Sequence, residues 1–238
     1  MDIDPDITIY TECDRRVFST LKGLGFSPAV VADIGASNGF WSNSMVSIFP
    51  EAKFHLFEPC ADLVDQYRAP LKRVIAERDN FRLHAVALGA RTGEIRMAIT
   101  PDGFGSTILD VGVSQYFPSE ATVPLTTLDV LIEESALPAP QLIKIDVQAA
   151  EDQILRGATN ALKKAEVLEI ECWLQKSYGP QTPLLWDINA YLTDLGFYLV
   201  ETGFRYYDSL HCLIALDCYF LRRDIGEKWK DLFTVGSW

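Results

Sequence analysis

The sequence predicts an α/β fold: a doubly wound, seven-stranded, mostly parallel sheet with a small β-rich insertion and an antiparallel C-terminal hairpin. Three observations predict it. From Ala29 onward, short apolar runs alternate with stretches of helical length, the rhythm of parallel strands joined by helices on both faces. Between Gly93 and Pro124 that rhythm is replaced by strand-like runs around a turn. The last two apolar runs, Phe197 to Glu201 and Leu213 to Arg222, read as an antiparallel pair.

The elements follow in order. Cys13 to Gly23 reads as a helix, with Lys22 in its last turn where a cation suits the helix dipole. It belongs to an N-terminal helical segment, 1–28, ahead of a main domain over 29–238. Ala29 to Ile34 is a buried strand, and a helix follows from Trp41 to Phe49. Lys53 to Phe57 is the second strand, Ala61 to Arg78 a long helix, and Phe81 to Leu88 the third strand. In the insertion, Glu94 to Thr100 and Val123 to Thr127 are strands, and Pro101-Asp102-Gly103-Phe104-Gly105 is a turn. Alternation then resumes: strand Gln141 to Val147, helix Glu151 to Lys164, strand Val167 to Trp173. The helix Leu184 to Leu195 is closed by Gly196, a C-cap.

The chain has 238 residues, 48% hydrophobic and 23% charged. That is enough to bury a core without disulfide or metal staples. Its net charge of −12 makes phosphate neutralisation on a nucleic acid, or binding to an anionic membrane, an unsuitable role. The five cysteines are odd in number and form no C-x-x-C pair, so they read as free thiols of a reducing compartment. The acidic start lacks the basic and apolar regions of a signal peptide. No stretch has the 18 or so apolar residues a membrane span requires. The expected location is cytoplasmic, with a homo-oligomer left open.

The sharpest local signal is Asp33-Ile34-Gly35-Ala36-Ser37-Asn38-Gly39, a strand end running through glycines into a helix. Glycine admits positive φ and close approach of a ligand, and the helix N-terminus offers free N–H groups. Ser37 and Phe40 spoil a dinucleotide fingerprint, and a P-loop Gly-Lys-Ser/Thr is absent. A loose adenosylmethionine loop, with Asp33, Gly35, Ser37 and Gly39 at alternate positions, fits. The same five residues also match G-x-S-x-G, the nucleophile elbow of hydrolases. Ser37 would then need Asp208 and His211 as partners. Only a short polar segment precedes this strand, whereas an elbow follows several.

The second strand ends in Phe57-Glu58-Pro59, with Glu58 lying 19 residues after Gly39. In a doubly wound sheet these strand ends are neighbours at the ligand-binding edge. A carboxylate there accepts two ribose hydroxyls and repels a 2′-phosphate. Adenosylmethionine, NAD and FAD all satisfy it; the loop spacing favours the first.

Leu142-Ile143-Lys144-Ile145-Asp146-Val147-Gln148-Ala149-Ala150-Glu151 puts charges around an apolar strand. Lys144 and Asp146 share a side by alternation, and Asp146 stands at the carboxyl edge. Here the chain resembles the FkbM-type methyltransferases, a branch of the class I S-adenosylmethionine-dependent enzymes with a Rossmann-like fold. Their fourth strand reads Lys-x-Asp-x-Glu-Gly-x-Glu, followed by Leu-x-Gly-Ala. This chain gives Lys144, Asp146, Gln148, Ala149 and Glu151, then Leu155-Arg156-Gly157-Ala158. Thr126-Thr127-Leu128-Asp129 also matches, and the resemblance spans about Ala29 to Glu171. Gln148-Ala149 departs from the family's Glu-Gly. An amide is no base at neutral pH, and alanine disfavours positive φ.

The resemblance implies methyl transfer from S-adenosylmethionine to a hydroxyl of a sugar, polyketide or other small metabolite. It implies cofactor binding by Asp33, Gly35, Ala36, Ser37, Asn38, Gly39, Glu58 and Pro59. Asp146 is the first candidate for the catalytic group, with Lys144, Glu151 and His211 behind it. A methyltransferase-like binding module without catalysis is the alternative, and the hydrolase a third. His55 and His84 read as strand histidines without a ligand role. No metal is expected from the spacing, although Asp146, Glu171 and Asp129 were the one oxygen set to weigh for magnesium. Trp173, Tyr178 and Trp186 after the fifth strand, with Phe104 and Tyr116 in the insertion, are core, lid or stacking aromatics.

Overall fold

The computed structural model describes residues 5–134 and 137–228. Its main sheet has seven strands. In spatial order they are β3 (Phe81–His84), β2 (Lys53–Phe57), β1 (Val30–Ile34), β7 (Leu142–Ile145), β8 (Val167–Trp173), β10 (Leu213–Arg222) and β9 (Phe197–Tyr207). The first five run parallel, and β10 is antiparallel to both β8 and β9. The strand order thus reverses between β1 and β7. That switch point is where open α/β sheets bind ligands.

Alternation along each strand divides the core into two layers. Val31, Leu142, Val167 and Tyr219 lie under α1 (Pro5–Gly23), α2 (Phe40–Met45) and α3 (Asp65–Ala76). Ala32, Ile143, Leu168 and Phe220 face the opposite layer. That layer is formed by α4 (Leu128–Glu134), α5 (Glu151–Arg156), α6 (Thr159–Leu162) and α7 (Leu185–Asp194). Phe18 of α1 is fully buried and meets Trp41, Phe49 and Tyr219 edge-on. The N-terminal helix is therefore part of the main core. A last helix, α8 (Arg223–Lys228), follows β10 directly.

Three departures from the sequence reading have physical causes. The third strand is split: Phe81–His84 stays in the main sheet, while β4 (Ala87–Leu88) joins a second sheet with β6 (Ser119–Thr126) and β5 (Gly93–Ile99). The long helix expected over 151–164 breaks at Gly157. A Cβ there would lie 1.9 Å from the Gly89 carbonyl oxygen, so the corner packs backbone against backbone. The final hairpin is longer than expected, because β9 continues to Tyr207 through register shifts that bend it. No helix among the described residues is long and apolar enough to cross a membrane.

Candidate active site

A cavity of about 640 Å³ opens at the carboxyl ends of β1, β2, β7 and β8 and is roofed in part by residues 103–108 of the insertion. Its lining includes Gly35, Ala36, Ser37, Asn38, Glu58 and Pro59, together with Lys144 and Asp146. The sequence-derived residues of three separate segments thus converge on one space.

The loop's geometry follows from its glycines. Gly35 has φ 78°, and a Cβ on it would sit 1.8 Å from the Asp146 carbonyl oxygen. Only glycine lets β1 and β7 release their chains so close together. Gly39, also at φ 78°, is the N-cap of α2 and does not line the cavity. Ser37 takes φ 52°, and its N–H donates to Glu58 Oε2 at 2.8 Å. The Cys60 N–H donates to Glu58 Oε1, also at 2.8 Å. Each carboxylate oxygen keeps a second lone pair for a ligand. Burial pushes the Glu58 carboxyl up to about 7, with the Cys60 and Ser37 N–H groups holding it from rising further.

Beneath the loop a polar row crosses four strands in register: Asp33, Lys144, Glu169, Tyr219. Asp33 is fully buried and outside the cavity. It accepts from Ser42 Oγ at 2.6 Å and faces Lys144 Nζ at 3.5 Å. The Trp41 indole N–H donates to both Glu169 oxygens at 3.1 Å, and the Tyr219 hydroxyl donates to Asp14 of α1 at 2.5 Å. Each member of the row is tied to α1, α2 or its in-register neighbour, so the helices are keyed to the sheet by polar bonds. Burial alone would lower the Lys144 pKa, but Asp146, Asp33 and Glu169 outweigh it and raise it. Lys144 is a fixed cation. Its Nζ also lies 3.3 Å from Asp146 Oδ2 and donates to the Gly35 carbonyl at 3.1 Å.

Asp146 is the half-buried member of this group. Its Oδ1 accepts from the Gln148 amide at 2.9 Å, and the same amide nitrogen reaches Glu171 Oε2 at 2.9 Å. The Gln148 carbonyl end lies 2.7 Å from the Tyr178 hydroxyl. Gln148 and Ala149 both adopt positive φ, 59° and 73°. The turn that glycine would make easily is therefore kept with an alanine in it, and both residues are held by their surroundings. Ala149 is fully buried, and the Gln148 carbonyl oxygen accepts from Thr107 Oγ1 at 2.7 Å.

The other candidates lie elsewhere. Glu151 is fully buried under its own turn, accepting from the Ala149 N–H at 3.1 Å, and does not line the cavity. Burial raises its carboxyl to about 8. His211 is exposed on the β9–β10 turn at φ 59°, outside the cavity. Asp208 is occupied there too, accepting the N–H groups of Leu210 and Cys212. The Ser37, Asp208 and His211 set of a hydrolase is not assembled. Asp129 caps α6, accepting from Thr159 Oγ1 and the Asn160 and Ala161 N–H groups. It is no partner for Asp146 and Glu171. Among the described residues no three His, Cys, Asp or Glu side chains are grouped to hold a metal. His55 and His84 face each other at 3.0 Å between β2 and β3, away from the cavity.

Sequence reasoning missed Asp14, Glu169 and Asp217, which line the cavity beside Glu171. The signal for one of the three was present: Glu169 alternates with Glu171 within the apolar strand Val167 to Trp173. Period-two acids in a wholly buried strand mark a functional face.

The seven-stranded sheet, with its cavity at the switch point, has the fold of the class I methyltransferases. The description of the Methyltransferase FkbM domain matches residues 33–199, and this chain belongs to that family. S-adenosylmethionine is thereby its cofactor. The chain is 26% identical over 168 residues to the 2-O-methyltransferase NoeI of Sinorhizobium fredii (strain NBRC 101917 / NGR234), covering 65% of this chain and 68% of that protein. Among solved structures, it is similar to the methyltransferase FkbM from Methylobacillus flagellatus KT, with 19% identity and a TM-score of 0.52. That match covers 84% of this chain but only 47% of the other. Magnesium protoporphyrin IX methyltransferase (ChlM) from Synechocystis PCC 6803 shares the fold at 12% identity and a TM-score of 0.51, over 93% of this chain and 86% of that one.

Proposed function

We propose that the chain transfers the methyl group of S-adenosylmethionine to oxygen, on a hydroxyl of a sugar, polyketide or other small metabolite. The observation that carries this reading is one continuous cavity. It joins the glycine loop and Glu58 to Asp146, Gln148 and Glu171. The similarity to a protein named as a 2-O-methyltransferase supports oxygen as the receiving atom.

The residues fit the cofactor. Glu58 offers two oxygens with free lone pairs to a vicinal diol. The Gly35–Gly39 loop offers backbone that no side chain obstructs. The acids around Lys144 suit a ligand that carries positive charge. Bound there, S-adenosylmethionine would supply a methyl group already activated by a positive sulfur. The protein's own work is alignment and exclusion of water. The acceptor's proton must go to a base. Asp146 is the candidate, since its Oδ2 is fixed by Lys144 and its Oδ1 by Gln148. Lys144 keeps its own proton and orients. The five unpaired cysteines suit a reducing, cytoplasmic setting.

The test is turnover of labelled S-adenosylmethionine with a panel of hydroxylated small molecules, followed by location of the methyl in the product. Methyl on oxygen supports the reading. Methyl on nitrogen or carbon, or tight cofactor binding with no acceptor turned over by any member, counts against it.

A further inference from the structure

The cavity end on β8 and β10, three and four strands from β2 and its Glu58, is lined by acids. Glu171 of β8 and Asp217 of β10 are in-register partners on adjacent antiparallel strands. Both are buried and both line the cavity. Like charges directly opposite one another destabilise a sheet, and burial pushes both carboxyls up, so an ordinary core offers no reason for the pair, whereas a bound cation lets both ionise. Asp14 and Glu169 line the same cavity. Among the described lining residues the sole cation is Lys144, and it is engaged by Asp33, Asp146 and the Gly35 carbonyl. No arginine or histidine among the described residues lines the space. A phosphate or carboxylate in this end would meet acids and no free cation.

A second observation is independent of charge. Trp173 lines the same wall, is 5% exposed, and its indole N–H has no hydrogen-bond partner among the described residues. A buried unpaired donor is costly, and an oxygen of a bound molecule relieves it. The rings of Trp173 and Tyr206 also border this end, and aromatic faces attract an ammonium group. Gln148 already donates to one oxygen of Glu171, which leaves the other for a ligand.

We propose that this end takes an acceptor bearing a protonated amine beside its hydroxyl groups, and no phosphate or carboxylate: an amino-polyol or amino sugar, not a nucleotide-activated or phosphorylated one. The ammonium group lies against Glu171 and Asp217, and an oxygen accepts from Trp173. The inference rests on the methyltransferase reading above.

Calorimetry on the full chain saturated with S-adenosylhomocysteine tests it, with glucosamine, N-acetylglucosamine and glucose 6-phosphate as probes. Glucosamine is expected to bind at least about tenfold more tightly than either of the others, the effect of a single charge-assisted bond. Asp217→Asn and, separately, Glu171→Gln are expected to erase that preference while S-adenosylhomocysteine affinity stays within about threefold. Equal affinity for the three probes, measurable or not, overturns the proposal, and so does a preference for the phosphate. Failure to saturate with S-adenosylhomocysteine instead overturns the methyltransferase reading, so the two failures are distinguishable.

Discussion

Asp146 is held at both oxygens, by Lys144 at 3.3 Å and Gln148 at 2.9 Å, yet remains open to the cavity. A group held this way orients an acceptor hydroxyl or takes its proton. Asp146→Asn keeps the shape and removes the basic carboxylate. Methyl transfer in single turnover is expected to fall by about a hundredfold or more, the scale of a lost general base, with cofactor affinity within about threefold. A rate within about threefold of wild type removes Asp146 from the chemistry. The residues of this site differ in how legible they were. Gly35, Glu58, Lys144 and Asp146 could be read because each sits at a strand end whose place in the sheet follows from alternation. Gln148 could be read as a departure from the family pattern, but not as the bridge between Asp146 and Glu171. That bridge depends on a positive-φ turn that an alanine in the sequence argues against. That His211 and Glu151 lie outside the cavity was not legible, for a related reason: nearness to a strand end does not say whether a side chain turns into the cavity or into its own loop.

Among the elements, the Thr126-Thr127-Leu128-Asp129 segment shows how a motif can be structural. Thr127 Oγ1 accepts the Val130 N–H at the start of α4, and Asp129 caps α6 across the corner that Gly157 opens. The motif and the Leu155-Arg156-Gly157-Ala158 segment therefore belong to one joint. Asp129→Ala is expected to lower stability by about 0.5–2 kcal/mol, the effect of a lost N-cap, and to leave S-adenosylmethionine affinity unchanged. Denaturant unfolding and a cofactor titration check both halves. A large loss of affinity with stability intact would return Asp129 to the site. The parallel strands and their helices were legible because apolar runs and Gly caps mark them. The second sheet was half legible: its strands alternate, but the diversion of Ala87–Leu88 out of the main sheet leaves no local signal. Nor does the length of β9, whose exposed residues do not alternate cleanly.

Over the whole molecule, burial holds acids protonated both in the site and beside it. Glu58 is raised to about 7 and Glu151 to about 8, from an unfolded value near 4.5. The folded state then binds more protons than the unfolded one, so this stability is full below about pH 4.5 and is lost as pH rises through the folded values. His55 and His84 act in the opposite sense. Burial lowers both to about 4, and their contribution is complete above about pH 6.5. Between pH 6.5 and 8.5 only the carboxyl effect remains. The free protein is expected to lose unfolding free energy across that window, at up to about 1.4 kcal/mol per pH unit for each proton. Urea unfolding at three pH values measures it, and a rise in stability over the same window contradicts it.

The central claim is that the loop from Gly35 to Gly39 and the carboxylate of Glu58 form the seat of S-adenosylmethionine. Calorimetric titration of the wild type and of Glu58→Gln with S-adenosylmethionine, at pH 8 where Glu58 is ionised, tests it most directly. Glutamine retains one acceptor for the Ser37 and Cys60 N–H groups, so the loop is disturbed less than by alanine. Loss of a charge-assisted hydrogen bond, about 1.5–3 kcal/mol, predicts a ten- to hundredfold fall in affinity with the melting temperature little changed. Equal affinity in the two proteins, with both folded, contradicts the account.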